Sequence, residues 1–275
     1  MEKHELNVFF DQKKKRFVYS EDMFGPVEVE HRYLADIRHS LLNDHVSGPE
    51  IVYTIAMDIG KKKDQHTLQQ KGLLYGIVEY AAGKLGNEPI KSQGHRHAIS
   101  KISHMSTPEV FEILEGQALI YMQENLEKNA GKCYAVEARK GDIVIVPPGW
   151  GHCTINASTE LTMCFGAWCV RDYAFDYSDL KKQQGFAFVP IFDHRNNLVW
   201  KKNDHYTSAE WLIKKPREYH EFGLKKRYPS IINMNRIQIF STLLAIQKTT
   251  NNSGKTLFHE LNIRYFLVKT IYRHL

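Results

Sequence analysis

The chain is poor in the features that would place it outside the ordinary globular enzymes. Of its 275 residues only four are cysteine (Cys133, Cys153, Cys164 and Cys169), and no two have CxxC spacing. A disulfide scaffold or a thiolate zinc knuckle is therefore not expected, and the four read as reduced, buried small residues. No apolar run approaches the roughly 20 residues of a membrane span, and Met-Glu-Lys-His-Glu at the start lacks the apolar core of a secretory leader. Membrane partners are not expected, and the default residence is the cytoplasm. There is no internal repeat at solenoid or propeller period.

What is present is a mixed chain, 43% apolar and 12% aromatic with a net charge of +6, enough for one core with extensions. The charge is uneven. From Leu224 to Leu275 there are nine Lys or Arg against one acid, Glu260, a net of +8 that leaves −2 for the first 223 residues. These cations are spread rather than clustered and no nucleic-acid motif accompanies them, so a solvated helical face is expected rather than a nucleic-acid partner. Within the tail, residues 231–246 and 257–275 hold enough Ile, Leu and Phe for helices packed on the rest of the chain or on a neighbouring subunit. A third account of the tail is a shifted reading frame or fusion.

The order along the chain follows from periodicity and breakers. Residues 1–48 read as a charged, aromatic arm with the run Lys13 to Arg16, then a helix over Val29–Leu42, where Val29, Tyr33, Ile37 and Leu41 are four apart. From Ile51 to about Trp200, short Val, Ile, Leu, Tyr and Phe runs separated by Gly, Pro, Asn and Asp predict eight or more strands. The expected division is 1–48 arm and helix, 49–200 β-barrel, and 201–275 C-terminal extension.

Four residues in the barrel segment carry chemistry. In an extended chain side chains two apart share a face, so His95 and His97 point one way and Arg96 the other. Glu109, Phe111 and Ile113 share a face by the same rule, which sets one carboxylate on an apolar wall. That is costly unless a cation compensates it. Further on, Ile143–Val146 forms a strand ended by Pro147 and Pro148, Gly149 allows a tight turn, and His152 re-enters the interior. His95, His97, Glu109 and His152 then form a three-imidazole, one-carboxylate ligand set for one divalent transition metal rather than calcium. Alternation turns Cys153 away from that set.

These spacings resemble the two motifs of the cupin superfamily. Gly141, Pro147, Gly149, His152 and Asn156 match the second motif without a gap. The first motif departs from the usual pattern, with eleven residues (98–108) between His97 and Glu109. Ser100 to Thr107 reads as a loop inserted beside the metal, with His104 in it as a competing ligand. The runs Ser92-Gln-Gly-His-Arg-His-Ala98, Thr107-Pro-Glu-Val-Phe-Glu112 and Pro147 to Asn156, with Phe175-Asp-Tyr177 and Gly185-Phe186, are similar to the cupin-type glucose-6-phosphate isomerases. Gly72–Gly76, Ala82–Gly86 and Phe165–Asp172 are similar to their bacterial branch. The likeness spans about residues 20–223.

The resemblance implies a mainly β, double-stranded β-helix (jelly-roll) barrel that is a metal-dependent aldose–ketose isomerase of glucose 6-phosphate and fructose 6-phosphate. A place in glycolysis and gluconeogenesis is then expected, and nothing in the residues excludes mannose 6-phosphate as a side substrate. It implies iron(II) first, with Mn, Zn, Ni or Co as alternatives, and a homodimer. It places His95, His97, Glu109 and His152 on the metal, Glu109 and Tyr177 in catalysis, and Tyr53, Ser92 and Gly94 on the sugar phosphate. Lys84 and Arg171 are further phosphate candidates by charge. The chain departs from the archaeal pattern at Phe111 and Trp168, where tyrosines are expected, and at Phe175, where a histidine is expected. Two other readings of such a site are an iron-dependent cupin dioxygenase and a sugar-phosphate-binding cupin without turnover.

Overall fold

The computed structural model describes residues 8–26, 28–101 and 105–219. The expected tail helices and His104 lie outside the described residues. The strands, in chain order, begin with a hairpin of β1 (Val8–Asp11) and β2 (Arg16–Tyr19), then β3 (Glu30–Tyr33), β4 (Ile51–Ala56) and β5 (Leu73–Tyr80). The central part holds β6 (Arg96–His97), β7 (Glu109–Glu115), β8 (Gln117–Gln123), β9 (Asn129–Arg139), β10 (Ile143–Val146) and β11 (Gly151–Asn156). Then come β12 (Met163–Val170), β13 (Phe175–Asp176), β14 (Phe188–Phe192), β15 (Leu198–Lys202) and β16 (Ser208–Lys214).

Two sheets form the barrel. One has the order β10-β7-β12-β5-β4-β3 and the other β11-β8-β9-β16. All pairings are antiparallel except that of β9 with β16. Alternation sends one set of side chains between the sheets, where Tyr53, Phe111, Ile120, Met122, Val136, Val144 and Phe165 pack together. The other set of the six-stranded sheet forms a second apolar layer, Tyr75, Ile77, Val110 and Trp168, covered by Phe17 of the N-terminal hairpin. Every residue of β5 is therefore buried, which is why it reads as a nearly continuous apolar run.

The helix expected over Val29–Leu42 is corrected. Glu30–Tyr33 is a strand paired with β4, and helix is confined to Leu34–Ile37 and a 3₁₀ turn at Arg38–Ser40. The edge of β4 supplies inter-strand hydrogen bonds to this backbone, and Tyr33, one of the four-apart positions, is exposed. Long-range pairing thus overrides a local period.

Candidate metal and substrate site

His95 and His152 exchange backbone hydrogen bonds, His95 N–H to the His152 carbonyl at 3.0 Å and His152 N–H to the His95 carbonyl at 2.8 Å. That bridge sets the two side chains opposite each other, with ring centroids 4.5 Å apart. His97 follows two residues on, and its ring stacks on His95 at 5.3 Å with 13° between planes. Glu109 stands at the start of β7 opposite Val146. One ligand atom from each of His95, His97, Glu109 and His152 lies within 4.8 Å of the others. His97, Glu109 and His152 are buried.

The hydrogen bonds around the rings decide which nitrogens face inward. His97 Nδ1 lies 3.0 Å from the Thr107 carbonyl, and His152 Nδ1 lies 3.1 Å from the Trp150 carbonyl. A carbonyl can only accept, so each Nδ1 donates and a neutral ring presents the Nε2 lone pair to the centre. Both Nε2 atoms then face the same Glu109 oxygen, His152 at 2.9 Å and His97 at 3.3 Å. Lone pairs and a carboxylate oxygen at these separations require positive charge between them. The His97 contact is also off the line of a hydrogen bond, and the buried Nε2 atoms of His95 and His97 have no partner.

Burial, reinforced by the neighbouring His152 and His97, holds His95 well below the usual imidazole range, so its ring is neutral. Burial pushes the Glu109 carboxyl up, but the close approach of His152 and His97 outweighs it and holds the group below the ordinary carboxylate range. An ionised carboxylate among inward-facing, lone-pair nitrogens fits a divalent ion of borderline softness.

Residues 39–209 match the sequence profile of the family described as Glucose-6-phosphate isomerase (GPI). The chain belongs to the glucose-6-phosphate isomerase family. The glucose-6-phosphate isomerase of Thermococcus litoralis is 31% identical over 121 residues, 44% of this chain and 57% of that one. That of Sinorhizobium medicae is 26% identical over 146 residues, 50% of this chain and 62% of that one. The chain thus spans about three fifths of the length of these relatives. A solved cupin-superfamily sugar phosphate isomerase from Silicibacter pomeroyi aligns over 68% of this chain and 89% of its own, at 14% identity and a TM-score of 0.32.

The structure gives the residues that the family likeness nominates for catalysis and substrate the following places. Tyr177 has its ring 6.2 Å from His95, and burial raises its phenol, which stays protonated and can donate. Ser92 Oγ accepts from the Thr154 N–H at 3.2 Å, two residues along β11 from His152. Tyr53 is buried between the sheets with its ring 4.9 Å from Tyr80. Gly94 has φ +77°, and a Cβ there would overlap the Phe186 ring.

Other candidates are engaged elsewhere. Arg171 makes two bonds to Asp58, at 2.6 and 2.7 Å, and Lys84 contacts Asn196 and lies over the Phe192 ring. Trp168 packs at a tilt against Tyr75 in the outer apolar layer, so it does not line the interior. Phe111 is inside, 6.0 Å from the His152 ring, and Phe175 lies 4.0 Å from His95 as a half-exposed apolar cover. Arg96 faces away, as alternation requires, and its guanidinium bonds Asp176 at 2.7 Å and Asp179 at 2.8 Å. Those bonds fasten the 175–179 segment, with Phe175 and Tyr177, over the site.

Cys153 turns away from the ligand set and lines a cavity of about 460 Å³ on the other side of β11, with Lys91, Leu180 and Phe186. Cys169 was not singled out by its sequence. It sits on the same face of β12 as Ala167 and is buried close enough to Glu109 for that charge, after burial itself, to push its thiol well up. Strand parity counted from Phe165 would have found it.

Proposed function

We propose that this protein interconverts glucose 6-phosphate and fructose 6-phosphate with one divalent metal ion, iron(II) first. The observation that carries the reading is the buried His95–His97–Glu109–His152 cage, with its two unpartnered Nε2 atoms, in a chain of this family. A metal held by these four residues would polarise the sugar carbonyl and stabilise charge developing on O1 and O2. Glu109 is the ionised carboxylate beside the reacting carbons and carries the proton between C2 and C1. A carboxyl held this low is a weak base, so it acts only on a C–H already acidified by the polarised carbonyl. Tyr177 donates its phenol hydrogen to a sugar oxygen and orients C1 and C2. Phe175, tilted against the His95 ring, limits water at that face.

The same reading assigns the protein to the cytoplasm as a homodimer in glycolysis and gluconeogenesis. No described helix is long and apolar enough to cross a membrane.

Glu109→Gln tests the proton-carrying role. The variant is expected to lose about 10²- to 10⁴-fold in kcat, and the metal it retains is measured in parallel. A kcat within twofold of the parent would remove Glu109 from the chemistry. Deuterium from solvent appearing at C1 of fructose 6-phosphate supports proton transfer, and its absence favours a hydride shift.

A further inference from the structure

The edge of the six-stranded sheet carries a cation that no motif accounts for. Arg32 on β3 stands directly opposite Tyr53 on β4, and opposed residues of an antiparallel pair project from the same face. Tyr53 belongs to the apolar layer between the sheets, so Arg32 is directed to the interior side of the edge strand. Tyr53 in turn stands opposite Tyr80 on β5, and the Tyr80 hydroxyl contacts Thr154 Oγ1, across the barrel on β11. Thr154 shares a face with His152 by alternation. One row of side chains therefore runs from Arg32 to the strand that carries His152, and Ser92 joins it through Thr154 and Tyr80.

The guanidinium is within hydrogen-bonding reach of the Tyr53 hydroxyl and near enough to Tyr177 and Tyr173 to act on their phenols. Tyr177 is the residue whose ring neighbours His95. Arg32 thus lies near both Tyr53, nominated for the sugar phosphate, and Tyr177, nominated for catalysis.

Its charge is also easily released. The Arg32 side chain is 30% exposed and its carboxylate partner, Glu30, is 50% exposed. An ion pair so open to solvent is weak. Lys91, Arg96 and Arg171 are held more firmly. Lys91 is buried against Glu88 and the Ser40 carbonyl, and Arg96 and Arg171 are bonded to the aspartates already described. A phosphate dianion offers a guanidinium two oxygens in the planar fork that Arg matches best.

We propose that Arg32 is the phosphate anchor of this site, leaving Glu30 to pair with the 6-phosphate, while Tyr53 and Ser92 hydroxyls bond its remaining oxygens and the C1–C2 end reaches the His95–His97–Glu109–His152 cage. The inference rests on the sugar-phosphate reading above and names the residue that makes the site select phosphorylated sugars.

The test combines steady-state kinetics with calorimetric titration of inorganic phosphate, both on the full metal-loaded chain. Arg32→Gln is expected to raise KM for glucose 6-phosphate and to weaken phosphate binding by about 10- to 100-fold, with kcat changed less than about threefold and Arg32→Lys restoring part of the loss. Should Arg32→Gln fold poorly, Glu30→Gln decides. Removing the competing carboxylate is expected to tighten phosphate severalfold, and unchanged or weaker binding would overturn the proposal. Unaltered KM and phosphate affinity in a folded Arg32→Gln protein would also overturn it, leaving the isomerase reading intact if the parent turns over. Arg32-dependent phosphate binding in a parent that does not isomerise would instead sink the isomerase reading and keep the anchor.

Discussion

Gly94 shows how much of the site depends on single residues. Its φ of +77° is open to glycine at little cost, and a Cβ would overlap Phe186 and come within 3.1 Å of the His152 carbonyl. Gly94→Ala should therefore destabilise the protein by about 2 kcal/mol or more. Because Gly94 immediately precedes His95, the variant should also bind metal more weakly. Urea unfolding of parent and variant checks the first effect, and unchanged midpoints would contradict it. At this scale legibility follows the range of the interaction. The shared face of His95 and His97 needs only the two-residue period of a strand. Arg32 depends on which strands are neighbours and in what register, which no local pattern carries.

The elements show the same division. Strand β5 is legible because both faces are buried and its run is apolar, but that run does not say what covers it. The cover is the β1–β2 hairpin, whose turn residue Gln12 donates from Nε2 to Glu79 at 2.9 Å. Glu79 is the one acid of β5. Burial pushes its carboxyl up to about 7 from an ordinary 4.5; Thr162, Cys164 and Gln12 hydrogen-bond it, and Glu115 adds like charge. The folded state therefore holds a proton that the unfolded state releases between these values. Stability falls as pH rises from about 4.5 through about 7 and levels above, by at most about 3 kcal/mol. Glu79→Gln should flatten that slope. Unfolding midpoints at pH 5, 6, 7 and 8 measure it, and parallel profiles for parent and variant would contradict it. The misread helix at Val29–Leu42 has the same origin, since its edge pairing with β4 is a property of the sheet.

For the molecule as a whole, the barrel was the legible part. The unbroken run of spacings from Gly141 to Asn156 encodes a strand, a turn and a second strand in sixteen consecutive residues, so one local stretch predicts β10, β11 and the inward turn of His152. The strands that complete the two sheets from outside, β3 at one edge and β16 in parallel beside β9, pair across long stretches of chain and left no signature. The central claim concerns what the assembled cage does, and it is tested most directly by fructose 6-phosphate formation from glucose 6-phosphate. The assay is run before and after chelation, then with iron(II), manganese, zinc, nickel and cobalt restored singly. Turnover abolished by the chelator and returned by a divalent ion, iron(II) most effectively, is the predicted result. Undiminished turnover in protein verified to be metal-free, or none in folded protein loaded with each ion, would contradict the account.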